Sequence, residues 1–193
     1  MAAGGYMAGV MIGRNLDLLK KGIEEARVAW KPLAEGALTL VEDPLSSAFT
    51  KAVGPSRPRL HGPSVDVHIE WDAVYFARTE VTAKATATDV VVGVHLNPGG
   101  VLGYLREWIG QDIQIGDEQF DPAYLVTGKP ESAAVSLLVP SVRELVLTLG
   151  SNLAGFTHEH ENVKVVLRGV ETDTAVLRAA IDLATAAGSW TPG

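Results

Sequence analysis

Apolar positions near the N-terminal end of the chain follow the spacing of an amphipathic helix. The apolar stripe consists of Leu16, Leu19, Ile23, Ala26 and Trp30. Charged residues between these positions fall mostly on the opposite face, which is typical of a helix with one buried side. Asn15 is placed to cap this helix, and Pro32 to end it. We therefore predict a helix over residues 15–30, followed by a second short helix over residues 33–41.

The composition changes at residues 54–64, which read GPSRPRLHGPS and contain three prolines, two glycines and two arginines. Such a segment is typical of an exposed, extended linker. The chain then divides into a helical segment at residues 1–53, the linker, and an α+β domain at residues 65–193. Because a helical segment of that size buries little surface by itself, its apolar stripe must dock on the domain or on another copy. We take the five stripe residues as the expected partner-binding surface.

Alternating apolar and polar residues predict three strands after this linker. Val65, Val67 and Ile69 alternate with polar residues, and the same period of two recurs over residues 74–87. The third strand, residues 89–96, is apolar enough to lie inside a sheet. Their short connections favour antiparallel pairing among the three.

Short strands and two further helices are predicted in the second half. The pattern indicates strands around Ile113 and at residues 124–127, a leucine-rich helix, and a strand pair over residues 156–168. A final helix begins at Thr172 or Asp173, either of which can serve as its N-cap. This order of elements indicates an α+β fold with an antiparallel or mixed sheet, packed by two helices and preceded by the N-terminal helix.

Charge and composition exclude several classes of function. The net charge of −7 gives no support to a nucleic-acid-binding surface, and the absence of cysteine excludes thiolate metal sites and thiol nucleophiles. Residues 1–13 carry no charge, lack a basic start, and are too few to span a bilayer, so we expect a loosely packed terminus. Membrane association is expected only through these residues or through a segment trimmed from a longer parent chain. The compartment is undetermined, with the cytoplasm favoured.

Potential metal ligands are densest at residues 158–161, which read HEHE. In a strand, His158 and His160 share a face and could reach one ion, but a zinc site needs at least a third ligand, and the sequence supplies none nearby. We therefore interpret the segment as a solvated hairpin. Metal binding by the two histidines remains the alternative.

A second polar cluster contains Asp112, Asp117, Glu118 and Asp121, whose spacing does not match a calcium-binding loop. We interpret Asp117 and Asp121 as turn caps, and Phe120 as the core anchor of the loop. No phosphate-binding glycine loop and no nucleophile-elbow sequence occurs in the chain.

The segment from Gly116 to Asp121, followed by a short strand and a leucine-rich helix, resembles an uncharacterised bacterial domain family with a G-D-x-x-F-D signature. The resemblance covers about residues 65–187. It implies an α+β domain that often follows membrane segments, and it brings no catalytic residues.

These observations together favour a non-enzymatic interaction or assembly module, with self-association or a protein partner and no cofactor. The alternative is a protein that binds a small molecule or a metal through the region of His158 and His160. An enzyme that uses the same region is included in this alternative.

Overall fold

The computed structural model describes residues 3–34, 36–45, 53–71, 77–96 and 112–192, with side chains given from residue 16 onward. The helices in this part of the chain are α1 Ala3–Ala29, α2 Phe120–Ala123, α3 Glu131–Leu137, α4 Pro140–Leu149 and α5 Thr174–Ser189. Its strands are β1 Thr39–Pro44, β2 Ser56–His61, β3 Val65–Trp71, β4 Ala77–Lys84, β5 Val91–Leu96, β6 Tyr124–Lys129, β7 Leu153–Glu159 and β8 Asn162–Arg168. The predicted α+β class is confirmed.

The eight strands form one antiparallel sheet in the order β1-β2-β3-β4-β8-β7-β5-β6. Their register places apolar residues side by side, so that Val67 lies opposite Val81 and Val81 lies opposite Val165. Because successive side chains of a strand point to opposite faces, this alignment makes one face of the sheet continuously apolar.

The helices pack on that apolar face. Helix α5 contacts β3, β4 and β8, while α3 contacts β5 and β6, and α1 contacts β2. Helix α4 lies against α5. Leu177 and Leu183 of α5 are fully buried in the same core as the strand residues Val67 and Val165. One face of the sheet is therefore covered by helices, and the side chains that alternate with the core residues point outward from the opposite face.

The N-terminal helix is longer than the sequence pattern predicts. It begins at Ala3 rather than at Asn15, which lies inside the helix. Residues 3–14 contain no proline to break the helical backbone, although four of these twelve residues are glycines, which have a low helix propensity. The structure thus gives residues 3–13 a helical backbone, and the expectation that they are loosely packed stays a prediction.

The expected linker is a strand of the sheet. Strand β2 occupies residues 56–61 and pairs with β1 on one side and β3 on the other. Proline and arginine content hid a period of two, because Pro58 and Leu60 are buried while Arg57 and Arg59 point to the other face. The second short helix expected at residues 33–41 is also absent from the described residues there, where a 3₁₀ turn, Lys31–Leu33, and β1 occur instead.

The three predicted strands are only partly neighbours. β3 and β4 pair as an antiparallel hairpin, as expected, but the β7–β8 hairpin lies between β4 and β5. This insertion joins strands that are far apart in the chain, which short connections alone cannot reveal. The first three residues of the second predicted strand, residues 74–76, lie outside the described residues.

In the second half, most predicted elements are confirmed. The predicted leucine-rich helix is α4, with Pro140 in its first turn and Gly150 at its C-terminal end, whereas α3, which precedes it, was not predicted. Asp173 caps α5 and accepts hydrogen bonds from two backbone N–H groups of its first turn. Ile113 is not in a strand, although its N–H donates to the carbonyl of Val126 at the edge of β6.

Candidate functional site

One face of the sheet is not covered by any helix in the described part of the chain, and we call it the open face. Its residues are those that alternate with the buried strand positions. The open face comprises Thr39, Val41, Asp43, Arg57, Arg59, His61, Asp66, His68, Glu70, Arg78, Glu80, Thr82, Lys84, Asn162, Lys164, Val166, Gly155, Thr157, Glu159, Val91, Gly93, His95, Leu125, Thr127 and Lys129. Val41 and Val91 are each 39% exposed. Apolar side chains are therefore exposed to solvent on the edge strand β1 and on β5, which lies next to the other edge strand.

Arg59 of β2 pairs with Asp66 of β3 on the open face. Its guanidinium donates to both carboxylate oxygens, with Nε 2.7 Å from Oδ1. The Nδ1 atom of His61 lies 3.2 Å from the same carboxylate. Burial alone would raise the pKa of Asp66, but the hydrogen bonds from Arg59 and His61 outweigh burial and lower that pKa. Asp66 is therefore ionised and fully engaged.

Arg57 links three strands at the other end of β2. Its guanidinium lies 3.0 Å from Asp43 of β1 and 3.3 Å from Glu70 of β3, and it also donates to the carbonyl of Ile69. The same group lies 5.3 Å from the ring centroid of Trp71, within cation–π range. Arg57 is thus held by several partners, and its side chain is only 16% exposed.

Glu80 of β4 is the most buried carboxylate of the open face, with 5% of its side chain exposed. Arg78 Nε lies 2.6 Å from one of its oxygens, Lys164 Nζ lies 3.0 Å from the other, and His68 Nε2 lies 3.9 Å away. Burial acts to raise the pKa of Glu80, but the hydrogen bond and charge of Lys164, together with Arg78, lower it overall. The pKa of His68 is also lowered, chiefly by burial, so that its imidazole is neutral at neutral pH.

The lowered pKa values of Asp66 and Glu80 indicate ion pairs that stabilise the sheet. A general acid at neutral pH needs a carboxyl pKa raised towards that pH, and the carboxyl pKa values of Asp66 and Glu80 are moved in the opposite direction. The two carboxylates can bind cations and hold strands together, but they are poorly suited to donate protons.

Small residues form the floor of the open face at β5 and β7. A Cβ atom added to Gly93 would lie 2.8 Å from Thr127 Oγ1, and one added to Gly155 would lie 3.2 Å from His95 Nδ1. The imidazole of His95 therefore lies against two glycines on neighbouring strands. Burial lowers the pKa of His95, so this ring is neutral at neutral pH.

A cleft of about 340 Å³ opens where the β2–β3 turn meets the end of β4 and the start of β8. We call it the rim cleft. Its polar lining includes His61, Ser64, Thr82, Lys84 and Asn162. Lys84 lies opposite Asn162 in the β4–β8 register, at one end of the open face.

The structure places the apolar stripe of α1 against the chain's own sheet. Leu19 is 3% exposed, and Ile23, Ala26 and Trp30 are fully buried, while Leu16 packs partly buried against the same core. Trp30 Nε1 also donates to the carbonyl of Glu171, 2.9 Å away. Of the two alternatives for this stripe, docking on the domain or on another copy, the structure shows docking on the domain.

The two candidate metal ligands are not brought together. His158 is fully buried on the helix-covered face, with its ring edge-on to Trp190 at 5.6 Å between centroids. His160 lies in the β7–β8 turn with a φ of 51°, and its side chain is 72% exposed. The turn breaks the strand alternation on which a shared face depends. Within the described residues, no group of three potential ligands is positioned to hold a metal ion.

The acidic cluster forms a capped loop, as predicted. Asp121 accepts hydrogen bonds from the N–H groups of Ile115, Gly116 and Asp117. Gly116 has a φ of 80°, a conformation that favours glycine. Phe120 is fully buried, so the predicted core anchor is confirmed.

Asp117 is the second confirmed cap of that loop, and it also ties the loop to α4. Its carboxylate accepts from the N–H groups of Phe120 and Gln119 and lies 2.9 Å from Arg143 Nε. The backbone hydrogen bonds from Phe120 and Gln119, and then the charge of Arg143, lower the pKa of Asp117. The G-D-x-x-F-D residues thus hold the segment before β6 against the helix layer.

Comparison with known proteins gives little further guidance. The chain matches no family model. No curated protein matches it either. Among solved structures, it is similar to the crystal structure of the mycobacterial trehalose monomycolate transport factor A, TtfA, at 11% sequence identity and a TM-score of 0.41. That alignment covers 94% of this chain and 98% of the TtfA chain, and it assigns no function to this protein.

No single helix of the described residues is long and apolar enough to cross a membrane. Helices α3 and α4, with the 3₁₀ turn that follows, reach that length and composition only as a pair, and this pair bends by 81°.

The open face was missed because its second strand, β2, was interpreted as a linker. Arg57, Arg59 and His61 alternate with Pro58 and Leu60, and this period of two was the available signal. The composition of the segment outweighed that signal in the prediction.

Proposed function

We propose that this chain is a non-enzymatic assembly module that self-associates through the open face. The observation that carries the proposal is a sheet with a helix layer on one face and, in the described residues, none on the other. Exposed valines lie on this face at β1 and β5.

The size of the open face supports a stable contact. Eight strands spaced by about 4.8 Å and about 20 Å long span an area of roughly 750 Å². A typical stable interface buries about 800 Å² on each partner. A second copy of the same face would therefore cover an area of the usual size.

The charges of the face are compatible with contact between identical surfaces. An interface of two-fold symmetry brings the same patch of both copies together, so a patch of one sign would repel its copy. The cations Arg57, Arg59, Arg78 and Lys164 are paired with the carboxylates Asp43, Asp66, Glu70 and Glu80. Although the chain carries a net charge of −7, this set of pairs is neutral.

The directions of the pKa shifts favour binding over catalysis at this surface. The carboxylates Asp66 and Glu80 are held ionised, and His68 and His95 are held neutral, so protonation there changes little around neutral pH. A surface with fixed charges is suited to recognise another surface.

The test is the oligomeric mass of two matched variants, measured by light scattering over a range of protein concentrations. Val91→Glu places a charge on the open face, whereas Val135→Glu places one on α3, where the valine is 49% exposed. We expect the wild type and Val135→Glu to form a dimer and Val91→Glu to remain a monomer with an unchanged far-UV spectrum. A monomeric wild type, or equal masses for the two variants, contradicts the proposal.

A further inference from the structure

The rim cleft collects polar side chains that have no partner. In the part of the chain that the structure describes, the side chains of Ser64, Thr82, Lys84 and Asn162 make no hydrogen bond or ion pair. All four line the same concave volume of about 340 Å³, within the range of sites for small ligands. The cleft therefore offers several free donors to one bound molecule.

Two charged residues of the described chain, Lys84 and Asp66, line the rim cleft, and only Asp66 forms an ion pair. Asp66 is the one acidic residue in its lining, and both oxygens of that carboxylate are occupied by Arg59 and His61. Among the residues that the structure describes, no carboxylate forms an ion pair with Lys84. In a chain with a net charge of −7, Lys84 gives the cleft a cation that can attract an anion.

The backbone around the cleft is held in place before any ligand binds. Gly62 N donates to the carbonyl of Val65 across the β2–β3 turn, and a Cβ atom at Gly62 would lie only 2.8 Å from Leu38. Two residues beyond Lys84, Thr86 donates through both its backbone N–H and its hydroxyl to the carbonyl of Gly188, which fixes the chain after β4. A fixed frame lowers the entropy cost of binding a small molecule.

We infer that the rim cleft binds a small oxyanion, such as a phosphate or carboxylate group. Lys84 supplies the positive charge, while the hydroxyls of Ser64 and Thr82 and the amide of Asn162 donate hydrogen bonds to the oxygens. Ammonium and hydroxyl donors are suited to this task because bonds to a charged acceptor are stronger than bonds between neutral groups. This inference concerns binding by a single chain, and because Asp66 and Thr82 also belong to the open face, an anion in the cleft and a second copy on that face would compete.

The inference is tested by titrating the full chain with inorganic phosphate and, separately, with acetate, while recording amide chemical shifts. We expect saturable shifts centred on the β2–β3 turn and the ends of β4 and β8 with at least one of the two anions. A preference for phosphate indicates a phosphoryl ligand, and a preference for acetate a carboxylate ligand. Absence of saturation below about 10 mM of either anion overturns the inference.

Three variants make the test specific. Lys84→Gln removes the cation and Thr82→Val removes a hydroxyl at nearly constant volume, and each is expected to weaken binding by about ten-fold. Lys129→Gln is the matched control, because Lys129 is an exposed lysine at the end of β6, outside the cleft. Equal affinities for Lys84→Gln and Lys129→Gln show that the anion responds only to overall charge, which contradicts the inference. Unchanged far-UV spectra for all variants establish that the fold is retained.

Discussion

Neither buried ring nitrogen of His158 has a hydrogen-bond partner in the part of the chain that the structure describes, although the ring packs edge-on against Trp190. A buried polar group without a partner costs about 1–3 kcal/mol. Leucine has a similar volume and no polar atom, so we expect His158→Leu to raise the free energy of unfolding by about 1 kcal/mol at neutral pH. Urea denaturation measures the change.

The control for this prediction is His160→Asn, a substitution in the exposed turn at a position with positive φ, which asparagine tolerates. It should change stability by less than about 0.5 kcal/mol. A loss of more than about 2 kcal/mol in His158→Leu means that the imidazole makes a favourable polar interaction, and that our description of its site is wrong.

Three histidines share one direction of pKa shift, which predicts how acid affects stability. Burial lowers the pKa of His68, His95 and His158 below the reference value of 6.5. Between that value and the lowered pKa values, the unfolded chain binds protons that the folded chain does not bind. Stability therefore falls as the pH drops through this window, by up to about 1.4 kcal/mol per pH unit for each histidine.

The urea midpoint measured at about pH 7.5 and about pH 5.5 tests this prediction. We expect a lower midpoint at the more acidic pH and a smaller difference in His158→Leu. A midpoint that rises on acidification contradicts the assigned direction of the shifts. The carboxylates with lowered pKa values, including Asp66 and Glu80, add a second loss of stability only below their reference values of 3.8 and 4.5.

Glu80 holds two cations on the open face, so its charge should matter more than that of an exposed glutamate. Glu80→Gln leaves Arg78 and Lys164 without their shared counter-charge. Because these cations are about half exposed and water can solvate them, we expect a modest loss of about 1–2 kcal/mol. Glu159→Gln, in a side chain that is 60% exposed, should cost less than about 0.5 kcal/mol. Equal effects in thermal unfolding would show that the Glu80 pairs contribute nothing specific.

At the level of elements, the pairing of β2 with β3 indicates that the N-terminal segment and the rest of the sheet form one folding unit. A chain that begins at Ser64 lacks α1, β1 and β2 and exposes the edge of β3. It also loses the buried side chains Ile23, Trp30 and Leu60 from the core. We therefore expect this truncated chain to unfold, because its core is smaller, or to aggregate, because the edge of β3 is exposed.

Far-UV spectra and thermal unfolding of the truncated chain test this expectation. A cooperative transition with retained strand signal would show that residues 65–193 fold as a unit, as the division at residues 54–64 predicts. Loss of the transition would show that β1, β2 and α1 are integral to the sheet.

The elements that the sequence pattern predicted well are those with local signals. Asp173 caps α5 by bonds within its own first turn, and the loop from Gly116 to Asp121 closes on itself. The order of the sheet could not be predicted in the same way, because inserting β7–β8 between β4 and β5 depends on distant pairing. Strand β2 was missed for another reason, since its prolines and arginines obscure the alternation that places Leu60 in the core.

The same distinction applies to the candidate sites. The stripe of α1 was correctly recognised as one apolar face, but sequence periodicity does not specify which surface covers it. His158 and His160 fit a metal pair only in an uninterrupted strand, and the turn at His160 separates them. The rim cleft joins residues from three separate segments, so no local motif indicates it.

For the whole molecule, the covering of only one sheet face by the described helices is the basis of the proposed assembly. Four exposed valines can report on it, because they lie on opposite sides of the molecule. Val41 and Val91 lie on the open face, while Val135 and Val139 lie in or next to α3 on the helix side. An interface on the open face changes the surroundings of the first pair alone.

The most direct test follows the methyl signals of these valines by NMR as the wild-type protein is diluted. The proposed function predicts concentration-dependent shifts for Val41 and Val91, with constant signals for Val135 and Val139. Constant signals for all four, or shifts confined to Val135 and Val139, would contradict assembly through the open face.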